Sequence, residues 1–160
     1  MSTLLEELKQ QKPFSSIYEQ VFLEVLVTAE RLKTESTEIF KDFDLTPTQY
    51  NVLRILRGAG AEGLACREIA DRMITRDSDI TRLLDRLESR GLITRERQTA
   101  DRRIVRAFIS EKGLDVLGEL DWPVSNWHAA RVSDLTDDEI KTLIDLLEKL
   151  RNAKKKEIEG

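Results

Sequence analysis

The side chains best equipped for chemistry in this chain are its arginines. Between residues 67 and 106 there are eleven arginines, no lysine and eight acids (Glu68, Asp71, Asp77, Asp79, Asp85, Glu88, Glu96 and Asp101), a local excess of three positive charges. The rest of the 160 residues holds fifteen basic and twenty-two acidic side chains, which brings the total to −4. A guanidinium offers a planar fork that pairs through two hydrogen bonds with a phosphate, or with O6 and N7 of guanine. Affinity for a polyanion follows the local density of cations. An acidic total therefore does not argue against nucleic acid, and it limits loose binding.

Such arginines need elements that aim them. Over residues 78–89, Ile80, Leu83, Leu84 and Leu87 recur at i, i+3, i+4 and i+7. This predicts an amphipathic helix packed on a core, with Ser78, Arg82, Asp85 and Ser89 pointing away from it. Gly91 reads as the left-handed residue that stops the helix, with Leu92 folding back onto its last turn. Residues 93–97 and 102–109 flank a polar tip, and Val105, Ala107 and Ile109 alternate on one face, which predicts a two-stranded hairpin. Helix, helix and basic hairpin form a winged helix-turn-helix pattern. Its second helix enters the major groove, and the hairpin lies against the backbone or minor groove.

Several stretches resemble the MarR family of bacterial transcription regulators. They are Thr46-Pro47-Thr48-Gln49-Tyr50, Ile69-Ala70-Asp71-Arg72-Met73, the run Thr81-Arg82-Leu83-Leu84-Asp85-Arg86-Leu87-Glu88-Ser89-Arg90-Gly91-Leu92, Asp101-Arg102-Arg103, and Ser110-Glu111-Lys112-Gly113. The resemblance extends in order over almost the whole chain; Ile74 departs from it, standing where relatives usually carry glycine or another small residue. It implies a mainly α fold with a small β-hairpin wing: a winged helix-turn-helix core at 46–110, flanked by dimerisation helices at 1–45 and 111–160, in one intertwined domain. It further implies a homodimeric, ligand-responsive regulator, most simply a repressor, on a palindromic operator in double-stranded DNA. No enzymatic activity and no cofactor are expected.

Base reading falls to the start of the second helix: Ser78, Asp79, Thr81 and Arg82, with Arg82 the candidate for a bidentate contact to guanine. Asp79 has a competing structural reading, since an acid in the first turn favours the helix dipole. Arg76 and Arg86 complete the helical set, although Arg86, like Arg90, has neighbours to pair with. On the wing, Arg95, Arg97, Arg102 and Arg103 are the phosphate and minor-groove candidates. The resemblance assigns Asp101 and Arg103 to shaping the wing, with Arg102 or Arg97 on DNA.

The flanks are apolar and well capped. Ser16-Ile17-Tyr18-Glu19 reads as a capping box that opens a long helix to about Phe40. Thr46-Pro47-Thr48-Gln49 opens another, and Thr136-Asp137-Asp138-Glu139 a third, followed by Ile140, Leu143, Ile144, Leu146, Leu147 and Leu150. A terminal helix this apolar buries itself against a partner. Pro123 is expected to break the preceding helix and make Trp122-Pro123 a corner.

For a small aromatic or anionic effector, the residues available to line a pocket are Tyr18, Phe22, Tyr50, Trp122, Trp127 and His128, each equally readable as packing. With one histidine and one cysteine, no zinc site of ordinary ligand count can form. The single Cys66 excludes an internal disulfide and suits a reducing cytoplasm; its placement at a helix start raises a redox-sensing alternative. A second alternative is a winged helix used for protein–protein contact. No apolar run is long enough for a membrane span, and residues 1–7 are too acidic for a secretory leader.

Overall fold

The computed structural model describes residues 3–74, 79–97 and 104–153. Its helices are α1 (Leu4–Glu7), α2 (Ile17–Phe40), α3 (Pro47–Ala59), α4 (Cys66–Arg72), α5 (Ile80–Ser89), α6 (Glu111–Arg131) and α7 (Asp137–Arg151), and its strands are β1 (Leu64–Ala65), β2 (Ile93–Arg97) and β3 (Val105–Ile109). It is mainly helical with one small antiparallel sheet, as expected. The chain forms two compact units, Met1–Leu120 and Asp121–Gly160, and α6 runs from one into the other.

The helices start where their sequences say. Thr46 accepts the Gln49 backbone N–H while Gln49 Oε1 accepts the Thr46 N–H at 2.9 Å, and Pro47 occupies the first turn, where no N–H is needed. Thr136 and Glu139 repeat the arrangement at α7. At α2 the box is displaced by one residue. Ser16 caps Glu19 as expected, but the Glu19 carboxylate takes the backbone N–H and the hydroxyl of Ser15, both at 2.7 Å.

The core of the first unit is built around α3, α5 and the sheet. Leu53, Leu56, Ile69, Leu84, Leu87 and Ile93 are fully buried, each stabilising the fold by about 1.5–3 kcal/mol relative to exposure. β2 pairs with β3 in the register Ile93 to Ile109, Arg95 to Ala107 and Arg97 to Val105. A third strand, absent from the sequence reading, adds to the other edge of β3: Leu64 pairs with Ala107 and Ala65 with Arg106, giving the order β1-β3-β2. Behind the wing, α6 begins against the end of α5. The Ser110 hydroxyl donates to Gly91 O at 2.7 Å and Lys112 Nζ to Arg90 O at 2.9 Å.

Pro123 does not break the chain into a corner. It lies inside α6, which continues to Arg131. Proline removes one backbone donor, but Leu117, Leu120 and Val124, spaced i, i+3 and i+7 across it, are all buried. Burial on both sides of the proline maintains the helix at the cost of that hydrogen bond.

Candidate nucleic-acid interface

The second helix of the motif is set by both ends. Asp79 is its N-cap, accepting the Arg82 backbone N–H at 3.2 Å, so the structural reading of this acid holds in the fold. At the far end Gly91 takes φ +70°, its N–H donates to Glu88 O at 2.8 Å, and the Leu92 N–H donates to Leu87 O at 3.0 Å. This pair of bonds is a Schellman stop. Between the two ends Leu83, Leu84 and Leu87 are buried, while Thr81, Arg82 and Arg86 are exposed on the helix surface.

Ile74 lies on backbone open to any residue. Among the described non-glycine residues only Lys9 and Asp44 have positive φ, so no left-handed conformation at Ile74 calls for glycine. Asn51 on α3 accepts the Ile74 backbone N–H at 3.2 Å, and the isoleucine side chain points outward, 86% exposed. Arg76 and Ser78 lie outside the described residues.

The arginines divide into two kinds that the sequence does not distinguish. Three are structural. Arg90 donates to the carbonyls of Phe43 (2.9 Å) and Asp44 and so ties the end of α5 to the turn before α3. Arg106 donates to Glu62 O (2.9 Å) and Gly63 O (3.1 Å) and lies 3.4 Å from Glu68, joining β3 to the segment that enters β1. Arg95, expected on phosphate, is held between Asp85 at 2.6 Å and Glu88 at 2.5 Å, with its side chain only 23% exposed. The hydrogen bond it donates to Glu88, ahead of the one it donates to Asp85, raises its pKa above the usual arginine value. Its Nε and one terminal nitrogen are thereby given to carboxylates on α5.

Arg82, Arg86 and Arg97 face solvent. Arg82 is 78% exposed and pairs with Asp79, Nε to Oδ2 at 3.1 Å. Arg86 and Arg97 are exposed, with no ion-pair partner among the described residues. Arg102, Arg103 and Asp101 at the wing tip lie outside the described residues.

Comparison with known proteins agrees with this architecture. The MarR family model matches residues 45–105. The HTH-type transcriptional regulator YpoP of Bacillus subtilis is 34% identical over 120 residues, which span 75% of this chain and 83% of YpoP. The chain belongs to the MarR family. A crystal structure of a MarR transcription factor from Planctomyces limnophilus is 40% identical, with a TM-score of 0.66 over 85% of this chain and 98% of that one. The PcaV transcriptional regulator of Streptomyces coelicolor, solved with its natural ligand, is 26% identical, with a TM-score of 0.67 over 79% and 90% of the two chains. As a MarR-family member the chain is a winged helix-turn-helix, DNA-binding transcription regulator and not an enzyme.

The effector candidates of this MarR-family chain fall in different environments. Tyr50 is a packing residue: it is buried, its ring centroid lies 4.7 Å from that of Phe40, and the Arg54 guanidinium sits 5.8 Å above it. Tyr18 and Phe22 stand exposed on α2, as Trp122 does on α6. Trp127 is half-buried, edge-on to His128 at 5.4 Å, with Arg131 5.7 Å from its ring. Cys66 is half-buried at the first position of α4. Among the described residues no group of three or more His, Cys, Asp or Glu side chains is arranged to hold a metal ion, and no helix is long and apolar enough to cross a membrane.

Proposed function

We propose that this MarR-family chain is a ligand-responsive repressor, acting as a homodimer whose two recognition helices read an inverted repeat in double-stranded DNA. The observation that carries this reading is α5, a helix anchored by buried leucines and capped at both ends, with Thr81, Arg82 and Arg86 left exposed along it. Arg82 is assigned to a guanine, a contact worth about 1–3 kcal/mol of discrimination. Thr81, Arg86 and Arg97, together with Arg76, Ser78, Arg102 and Arg103, complete the contact set, and Asp101 with Arg103 shapes the wing tip. Two such helices place half-sites about 34 Å apart, and a bound dimer represses by covering the promoter.

The second copy is argued from apolar surface. α2 exposes Ile17, Tyr18, Val21, Phe22 and Leu26, and α7 exposes Leu143, Ile144, Leu146, Leu147 and Leu150. Apolar helix faces like these are covered in working proteins, and residues 1–45 and 111–160 are assigned to that role. Sedimentation is expected to give twice the 18.4 kDa chain mass, and Leu147→Glu to return the monomer. A wild-type monomer that still binds DNA tightly counts against the dimer.

PcaV's ligand complex supports a small-molecule input. For an aromatic or anionic effector, Tyr18, Phe22, Trp122, Trp127 and His128 are the candidate contacts, without Tyr50. An effector favouring a conformer with the wrong half-site spacing releases DNA by population shift.

Selection of bound sequences from a random DNA pool tests the function. Wild type is expected to enrich a palindrome, and Arg82→Ala to relax preference at one symmetric pair of positions. Failure of ligand-stripped protein to enrich any sequence at moderate salt overturns the reading.

A further inference from the structure

We propose that Arg95 is a positioning residue for DNA recognition: clasped between Asp85 and Glu88, it sets the wing strand against the recognition helix and does not itself engage phosphate. The inference rests on the DNA-binding reading above and assigns this arginine a role different from that of Arg97, two residues on.

The geometry is that of a clasp. Asp85 and Glu88 stand one turn apart on α5. Glu88 takes both Arg95 Nε, at 2.9 Å, and the terminal nitrogen, at 2.5 Å, and the same nitrogen reaches Asp85 at 2.6 Å. Charge-assisted hydrogen bonds to two carboxylates on one helix face fix orientation as well as distance. The clasp also sits at the point of most leverage. β2 leaves the core at Ile93, which is buried, and Glu96 and Arg97 are exposed. Arg95 is therefore the last side chain of β2 held to the helix before the strand runs out to the tip. At about 3.3 Å per residue, a change of angle at Arg95 displaces every later contact.

Electrostatics argues against a direct phosphate contact. One guanidinium between two carboxylates leaves the cluster with a net negative charge, which repels a phosphate. If charge alone mattered, neutralising Glu88 would strengthen DNA binding. If the clasp positions the wing, the same change weakens it. The two roles predict opposite signs.

The test measures affinity for the selected palindrome and for a scrambled duplex across a range of salt, well below the unfolding temperature. Arg95→Met and Glu88→Gln are each expected to weaken palindrome binding about tenfold. Scrambled-duplex binding changes much less, because a re-aimed wing still offers its cations to a backbone read without register and Arg95 itself contributes no phosphate contact. Arg95→Lys recovers only part of the loss, since one ammonium cannot reproduce the fork. The proposal is overturned if Arg95→Met lowers the slope by about 0.9 per lost phosphate contact with equal losses on both duplexes. It is equally overturned if Glu88→Gln tightens binding. Should Arg95→Met fail to fold, Glu88→Gln and Asp85→Asn decide the matter. A wild type with no palindrome preference would defeat the DNA reading itself, a result distinct from either.

Discussion

Asp79 holds Arg82 twice. One carboxylate oxygen accepts the Arg82 backbone N–H at 3.2 Å and the other lies 3.1 Å from Arg82 Nε. The acid that starts the recognition helix thus also holds the side chain assigned to guanine, and two substitutions separate the roles. Asp79→Asn retains a capping oxygen and removes the charge; it is expected to leave the melting temperature nearly unchanged and to raise affinity for any duplex. Asp79→Ala also loses the cap, at a cost of about 1 kcal/mol, and is expected to melt several degrees lower. Calorimetry and a binding titration on the same samples check both. Equal melting temperatures for the two variants would show that the cap contributes nothing.

Arg86 and Arg97 are exposed on α5 and β2. If each meets a phosphate, replacing either with alanine weakens binding about equally on all sequences and lowers the salt slope by about 0.9 per contact. A loss confined to one base position would instead make the residue a base reader.

Gly63 lies between the turn that follows α3 and β1, at φ +54°. A Cβ there meets Phe108 Cε1 at 2.5 Å and Ala107 O at 2.7 Å. Gly63→Ala is therefore both conformationally strained and blocked by backbone, and is expected to cost more than about 1 kcal/mol. Denaturant unfolding measures the loss. Phe108→Leu in the same chain should not restore stability, because the Ala107 carbonyl and the positive φ remain.

Two exposed glutamates confer a pH dependence on the helix starts. The Ser15 hydroxyl, then the Ser15 N–H, hold Glu19 below the ordinary glutamate pKa; the Thr136 N–H, then its hydroxyl, do the same for Glu139. Both bonds favour the charged carboxylate, so the folded pKa lies below the unfolded one. The stabilisation is fully present above the ordinary value of about 4.3 and is lost as pH falls from there through the lowered folded values. Carboxyl titration by NMR is expected to show both midpoints below those of the other exposed glutamates. Thr136→Val keeps the backbone N–H and should return Glu139 only part of the way; a Glu139 midpoint unmoved in that variant would refute the hydroxyl's share.

Sequence by itself determined whatever depends on residues a few positions apart. The stripe of Leu83, Leu84 and Leu87, the capping boxes at Thr46 and Thr136, and the Gly91 stop all appear in the fold, because their hydrogen bonds close over three to five residues and burial imposes the helical period. Tertiary structure decided what depends on distant partners. β1 is only two residues long and becomes a strand solely by pairing with Ala107 and Arg106. Pro123 obeys its local rule in losing a donor, yet buried neighbours on either side keep α6 whole. Tyr50, available in sequence for a ligand, is committed to Phe40. The arginines show the limit most clearly: Arg86, Arg90, Arg95, Arg97 and Arg106 carry the same charge in the same segment. Arg90 finds carbonyls more than forty residues away and Arg95 finds two carboxylates on the preceding helix. A guanidinium's role is set by what already occupies its fork, and that is known only once the chain has folded.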